Sequence, residues 1–357
     1  MTTRKHQMSM FLRNFAGNEE RLMKFMELML LGDEESAHNY MSRERMRRIC
    51  VVLTTKCNLK CVWCHRNEAR FQEYLHREMP FEMLEAILPG LEGFETLHYG
   101  GLGEPLFYSR LYDAIKLARK YIPNVKTTTN ASLLTRERCE MLADSGLTYL
   151  EVSIDGFDAE ANRKVRGVAE DTLIENIEYL SEISDIKMQV NTVMASINYE
   201  SLFGAVDKLK NVKNLVRLHG IPLFMTEHMR SLGIDRVSDE QVRDLLQHWK
   251  DRIAALGLPL ELWPDVYEAT LDPVMTLKRK HNICFTPYDD PFINVNGYLS
   301  PCGRMQHLNL DNVLDKGFDA AWNGTKMLAW RKAQLAGNYT DECMLECGMR
   351  RVCKRER

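Results

Sequence analysis

The sequence predicts an α/β fold: six βα units forming a curled, barrel-like sheet, followed by a small cysteine-rich C-terminal domain. Two observations predict it. Strand-like runs alternate with helical patterns six times between residues 48 and 223. Eight of the ten cysteines fall into two groups, one directly after the first strand and one within residues 281–357.

The totals set the class. A chain of 357 residues has room for one large domain or two to three smaller ones. With 45% hydrophobic and 27% charged residues it is ordinary globular material. A net charge of −3 supplies no electrostatic footprint for nucleic acid. No apolar run approaches the roughly 20 residues of a membrane helix, and "MTTRKHQMSMFLRNF" lacks a signal-peptide core. A cytoplasmic location is expected. In a reducing compartment ten cysteines read as ligands or nucleophiles rather than disulfides.

Each element follows from local pattern. Residues 1–47 read as an N-terminal helical segment, in which "NEERLMKFMELMLLG" carries apolar residues at helical spacing and stops at Gly32. Strands are expected at "RICVVLTT", "FETLHYGG", "VKTTTN", "YLEVSIDG", "KMQVNTVM" and "NLVRLHGIPL". Helical patterns such as "SRLYDAIKLARKYI" and "LIENIEYLSEIS" separate them. Such alternation makes βα units and a parallel sheet, and six repeats favour a curled sheet over a flat doubly wound one. Residues 48–225 form this unit. Residues 226–280 read as a helical bridge, with Ser238 and Asp239 opening "SDEQVRDLLQHWKDRIAALG". Residues 281–357 hold five cysteines and several turn signals, among them "VNGY" and "PCG".

The first cysteine group carries the chemistry. Cys57, Cys61 and Cys64 follow the first strand within "TTKCNLKCVWCHRNE". Thiolates suit zinc, copper(I) and iron–sulfur clusters. A closed zinc site takes four ligands, and His65 is the local candidate for the fourth. A cubane [4Fe–4S] cluster also takes four cysteines, so three would leave one iron with an open position.

The spacing Cys-x3-Cys-x2-Cys after the first strand of a βα series resembles the radical S-adenosylmethionine superfamily. The resemblance implies a partial (β/α)6 TIM-like barrel. It also implies a [4Fe–4S] cluster whose open iron chelates S-adenosylmethionine, and a 5′-deoxyadenosyl radical that abstracts hydrogen from a substrate. An external one-electron reductant of flavodoxin or ferredoxin type is implied as partner. Trp63 fits the family's aromatic position before the third cysteine. "GGLGEP" resembles its Gly-Gly-Glu segment, placing Gly100, Gly101, Gly103 and Glu104 at the methionine amino group; a plain β-turn is the bland alternative. "TTTNAS" resembles its Thr-Asn-Gly segment, with Asn130 lining the site and Ala131 standing where the family has glycine. In "VSIDGFDAEANRKVRG" the resemblance sends Ser153, with Asp155 on the same face, to the ribose and Arg166 to the carboxylate side. An Asp155–Arg166 structural salt bridge is the alternative. Asn191 is expected at the adenine.

The second group, Cys284, Cys302, Cys343, Cys347 and Cys353, lies in text that resembles the SPASM/twitch auxiliary iron–sulfur extension. A full SPASM domain has seven cysteines; this chain has five. One auxiliary cluster is therefore expected, with one thiol of the last three to spare, and Cys353 is the candidate hydrogen donor. A zinc ribbon is the alternative. Cys50 and Cys139 read as core.

The expected substrate is a small polar metabolite, a sugar or nucleoside, undergoing oxidation, epimerisation or decarboxylation. The residues before the first strand lack the strand–helix alternation of a peptide-leader module, which tilts the expectation away from a ribosomal peptide. A zinc-stapled RNA-modifying or RNA-binding protein is the alternative of another class.

Overall fold

The computed structural model describes residues 48–264 apart from Phe224, residues 291–335, and a few isolated positions. The expected helix before Gly32 and the side chains of Cys284, Cys343, Cys347 and Cys353 lie outside the described residues.

Nine strands make one sheet: β1 (Arg48–Val51), β2 (Thr96–Tyr99), β3 (Asn124–Thr129), β4 (Tyr149–Ser153), β5 (Lys187–Met194), β6 (Leu215–Pro222), β7 (Glu261–Pro264), β8 (Phe292–Ile293) and β9 (Leu299–Ser300). Their order is β7-β6-β5-β4-β3-β2-β1-β8-β9. All neighbours are parallel except β8 and β9. The first six strands lie side by side in chain order, as barrel strands do, whereas a doubly wound sheet reverses order at a switch point. The described sheet ends in two edges, β7 and β9, so the described strands do not close on themselves. β7 arises inside the expected helical bridge. β8 pairs with β1, which seats the segment around Cys302 directly beside the strand that leads to the first cysteine group.

The β8–β9 hairpin forms where "VNG" predicts it. Gly297 takes φ +81, and the Asn294 carboxamide oxygen accepts from the backbone N–H groups of Asn296 (3.0 Å) and Tyr298 (3.2 Å).

Helices pack on the sheet. They are α1 (Phe81–Ile87), α2 (Leu111–Ala118), α3 (Arg136–Ala143), α4 (Ala159–Arg166), α5 (Glu170–Ile183), α6 (Tyr199–Leu202), α7 (Ala205–Leu209), α8 (Glu227–Ser231), α9 (Asp239–Leu256), α10 (Val313–Lys316), α11 (Phe318–Trp322) and α12 (Thr325–Leu335). Most of them share one apolar core with its strands, whereas Met229 of α8 packs with Val62, Trp63 and Val193 in a separate cluster. Leu97, Tyr99, Val125, Leu150, Val152, Met188 and Val190 are wholly buried in the core with Ile87, Ile115, Leu142 and Ile177 of these helices. Cys50 and Cys139 are buried there too. α9 opens on a capping box between Ser238 and Gln241, and its Trp249 is buried with its indole N–H donated to the Leu202 carbonyl at 2.8 Å.

Successive strand residues point to opposite faces, and here the second face is different in kind. His98, Lys126, Thr128, Glu151, Ser153, Asn191, Arg217 and His219 all retain partial exposure. The sheet thus has a dry, apolar face and, opposite it, a wet, polar one.

Candidate active site

The loops that carry chemistry all leave the C-terminal ends of the parallel strands, where barrel folds build their sites. The cysteine loop follows β1, "GGLGEP" follows β2, Asn130 follows β3, and Asp155 follows β4.

Cys57, Cys61 and Cys64 are partly buried and close enough to feel one another's charge. Burial pushes the Cys61 thiol up to about 11, against the pull of the Arg166 guanidinium. Burial raises Cys57 and Cys64 as well. Metal binding would therefore release protons here. The loop is held at several points. Val62 N–H donates to the Val165 carbonyl at 2.9 Å, and Asn67 Nδ2 to the Cys61 carbonyl at 3.0 Å. Val62 and Trp63 pack on the apolar cluster of Ala195, Leu223, Met225, Met229 and Ile234. Trp63 thus anchors the loop to the ends of β5 and β6.

Glu104 is 2% exposed and its carboxylate is fully engaged. Oε1 accepts from Thr129 Oγ1 (2.7 Å) and Leu106 N–H (3.1 Å), and Oε2 accepts from Asn130 N–H (2.7 Å). Burial raises its pKa, against those three donors. Its own N–H donates to the Lys56 carbonyl at 2.8 Å. Glu104 therefore ties the loops after β1, β2 and β3 together. Gly103 permits that approach, since a Cβ there would stand 2.0 Å from the Thr54 carbonyl oxygen. Gly101 takes φ +130, and a Cβ on Gly100 would meet the His98 ring at 2.7 Å.

Asn130 reaches the cysteines. Its Nδ2 lies 3.9 Å from Cys57 Sγ and donates to Asn58 Oδ1 at 3.1 Å. Ala131 adopts φ 60, so the position where the motif family has glycine keeps the glycine-type backbone.

The Asp155–Arg166 ion pair is present: Arg166 Nε donates to Asp155 Oδ2 at 2.7 Å, with the two side chains 11% and 1% exposed. Arg166 also turns a second nitrogen to Cys61 Sγ at 3.7 Å. Asp155 Oδ1 accepts from Val193 N–H at 2.7 Å, fixing β4's exit to β5. Asp155 lies beyond the end of β4, so it does not simply share a strand face with Ser153, which ends that strand half-buried.

His65 is engaged elsewhere. Its Nδ1 pairs with Glu68 Oε1, and Arg304 donates to its Nε2 at 3.1 Å. With both ring nitrogens occupied, His65 is not placed to complete a zinc site. Among the described residues, no three His, Cys, Asp or Glu side chains converge on one ion-sized point. A mononuclear zinc site demands that convergence; three thiolates on three separate irons of a cubane do not. The donor set fits the cluster. Of the second cysteine group only Cys302 is described, partly buried beside β9.

Sequence reasoning missed the network on the wet face. Lys126 Nζ meets Glu151 Oε1 at 2.6 Å, and Glu151 Oε2 accepts from Thr128 Oγ1 at 2.9 Å and Asn191 Nδ2 at 3.4 Å. His219 Nδ1 lies 3.1 Å and Gln189 Nε2 2.6 Å from Asn191 Oδ1. Arg217 pairs with Glu261 of β7 at 3.2 Å. The available signal was a polar residue at every second position of "VKTTT", "YLEVS" and "MQVNT".

Comparison with known proteins agrees with this geometry. The model of the radical SAM superfamily matches residues 51–209, and that of SPASM, an iron–sulfur cluster-binding domain, matches residues 284–348. The chain is 22% identical over 335 residues to the tungsten-containing aldehyde ferredoxin oxidoreductase cofactor-modifying protein of Pyrococcus furiosus, covering 86% of this chain and 89% of that one. It is 25% identical over 349 residues to the AdoMet-dependent heme synthase of Nitratidesulfovibrio vulgaris, covering 90% and 91%. In fold it is similar to Streptococcus suis SuiB bound to S-adenosylmethionine, with TM-score 0.64, 20% identity and coverage of 94% and 82%. SuiB is also known bound to its precursor peptide SuiA. The chain belongs to the radical S-adenosylmethionine superfamily, carries a C-terminal SPASM iron–sulfur domain, and has [4Fe–4S] clusters and S-adenosylmethionine as its cofactors.

Proposed function

We propose that this enzyme applies radical chemistry to a small, uncharged, hydroxyl-rich molecule such as a sugar or nucleoside, held against the wet face of the sheet, with oxidation, epimerisation or decarboxylation as outcome. The wet face carries the proposal. Its charges are matched in pairs, Lys126 with Glu151 and Arg217 with Glu261, and its amide and imidazole groups form a chain of hydrogen bonds. Such a surface offers donors and acceptors without a net charge to attract an ionic substrate.

Cys57, Cys61 and Cys64 would hold the cluster, and Gly100, Gly101, Gly103, Glu104, Asn130, Ser153, Asp155, Arg166 and Asn191 border the S-adenosylmethionine. When bound, that pair supplies a carbon-centred radical able to take hydrogen from the substrate. Glu104 and Thr129 hold the glycine-rich loop so that its backbone faces the methionine end. Arg166, fixed by Asp155, places positive charge beside the Cys61 sulfur. The SPASM match spans Cys284, Cys302, Cys343 and Cys347 and stops before Cys353. We take the first four as ligands of one auxiliary cluster and Cys353 as the spare thiol that returns hydrogen. A flavodoxin- or ferredoxin-type protein supplies the electron.

The test is stimulation of 5′-deoxyadenosine formation by fractions of cell extract. Stimulation by the low-molecular-weight fraction, with deuterium passing from a labelled metabolite into 5′-deoxyadenosine, is expected. Stimulation by the peptide fraction alone would move the substrate to the class that SuiB binds.

A further inference from the structure

The chain just after Cys302 touches two of the loops that surround the first cysteine group. The first contact runs through His65, the residue after Cys64. Arg304 NH1 lies 3.1 Å from His65 Nε2. Arginine has no acceptor, so Nε2 carries the lone pair and Nδ1 carries the proton that it donates to Glu68 Oε1. Glu68 is held in turn by Arg70 at 2.9 Å. The ring is thus a strut between the cysteine loop and the Cys302 segment. The second contact runs through Gln306, 3% exposed. Its Oε1 accepts from Leu102 N–H at 3.2 Å, inside "GGLGEP", and its Nε2 donates to the Gly303 carbonyl at 2.8 Å. The same Leu102 offers its carbonyl to Arg66 at 3.0 Å, the residue after His65. His307 completes the seam edge-on to Phe71, centroids 5.0 Å apart. The short hairpin β8–β9, paired on β1, delivers this segment.

We infer that Arg304 and Gln306 are positioning residues for S-adenosylmethionine. They clasp the Cys302 segment to His65 and to the glycine-rich loop, and so fix the loop that faces the cofactor. The inference rests on the radical S-adenosylmethionine reading of the cysteine loop. It adds that the first site is complete only when the C-terminal segment is docked on it. By linkage, S-adenosylmethionine bound at the first site would in return stabilise the docked segment.

The test uses the full chain with clusters reconstituted anaerobically, as wild type and as Arg304→Ala, Arg304→Lys, Gln306→Ala and Lys332→Ala. Lys332 is exposed on α12 of the same C-terminal region and serves as control. Three quantities are read: iron per chain, S-adenosylmethionine affinity by calorimetry, and the change in the electron paramagnetic resonance spectrum of reduced protein on adding S-adenosylmethionine. Arg304→Ala and Gln306→Ala should keep their iron, bind S-adenosylmethionine about tenfold more weakly, and show an altered spectral change. Arg304→Lys should recover part of the affinity, and Lys332→Ala should match wild type. Affinity within about twofold of wild type in both Ala variants would overturn the clasp alone. Failure of wild type to bind would overturn the cofactor reading and the clasp with it. If Arg304→Ala sheds iron, Gln306→Ala decides by the same criterion, because it leaves the His65 contacts in place.

Discussion

Gly103 shows how tightly single residues are specified. A methyl group there would overlap the Thr54 carbonyl oxygen at 2.0 Å, and backbone cannot swing aside as a side chain can. Gly103→Ala should cost more than about 2 kcal/mol in urea unfolding. Gly167, at φ +84 with open space around it, should cost only about 1 kcal/mol on the same change. Ala131 is the converse case. It already sits at φ 60, so Ala131→Gly removes about 1 kcal/mol of strain and loosens the unfolded chain by a similar amount. A near-neutral result is expected. Glu104→Gln keeps the shape but turns an amide N–H toward a donor, at Thr129, Leu106 or Asn130. It should cost about 1–3 kcal/mol. The glycines and Glu104 were legible as a motif in the sequence. That Glu104 spends its carboxylate on three protein donors was not, because those donors come from two segments that only the fold brings together.

At the scale of elements, the strands were legible where alternation is long. β5 fills "KMQVNTVM" end to end, since eight residues of β-branched and alternating character leave little choice. β7 was missed because four residues that end in Pro264 give no such run. Period two also shows that one strand face is polar without showing whether bulk water or a chamber lies beyond it. The wet face has a consequence in pH. Burial holds the His98 pKa down to about 3 from 6.5, so the unfolded chain takes up a proton below 6.5 that the folded chain refuses. This contribution is present above 6.5 and is lost as pH falls toward 3. Burial works against the Glu151 charge, yet Lys126 holds its carboxyl down to about 2 from 4.5, so its contribution is lost as pH falls from 4.5 toward 2. Both act in one direction: acid destabilises. Between pH 6.5 and about 5, wild type should lose about 1 kcal/mol per pH unit more than His98→Gln. Equal slopes in chemical denaturation would show that His98 titrates normally. On the helical side, Ser238→Ala removes half of the α9 capping box and should cost about 1 kcal/mol.

For the whole molecule, the two cysteine groups define the chemistry and the sheet sets their relation. Parallel strands in chain order carry the first group to one end of the barrel, and β8 brings the Cys302 segment alongside through its pairing with β1. The order of motifs along the chain made the barrel readable; the His65–Arg304 seam joins residues far apart in sequence and leaves no pattern to read. Two cubanes predict about eight irons per chain, and Cys353→Ala should keep them all while abolishing substrate conversion. Loss of about half the iron in that variant would make Cys353 a ligand instead. The central claim is that Cys57, Cys61 and Cys64 support reductive cleavage of S-adenosylmethionine. It is tested most directly by measuring 5′-deoxyadenosine from anaerobically reduced wild type and from the variant with all three cysteines changed to Ala. The account predicts steady formation in wild type, and none in the variant, which should still hold about four irons. Undiminished formation in the variant, or none in the iron-replete wild type, would contradict it.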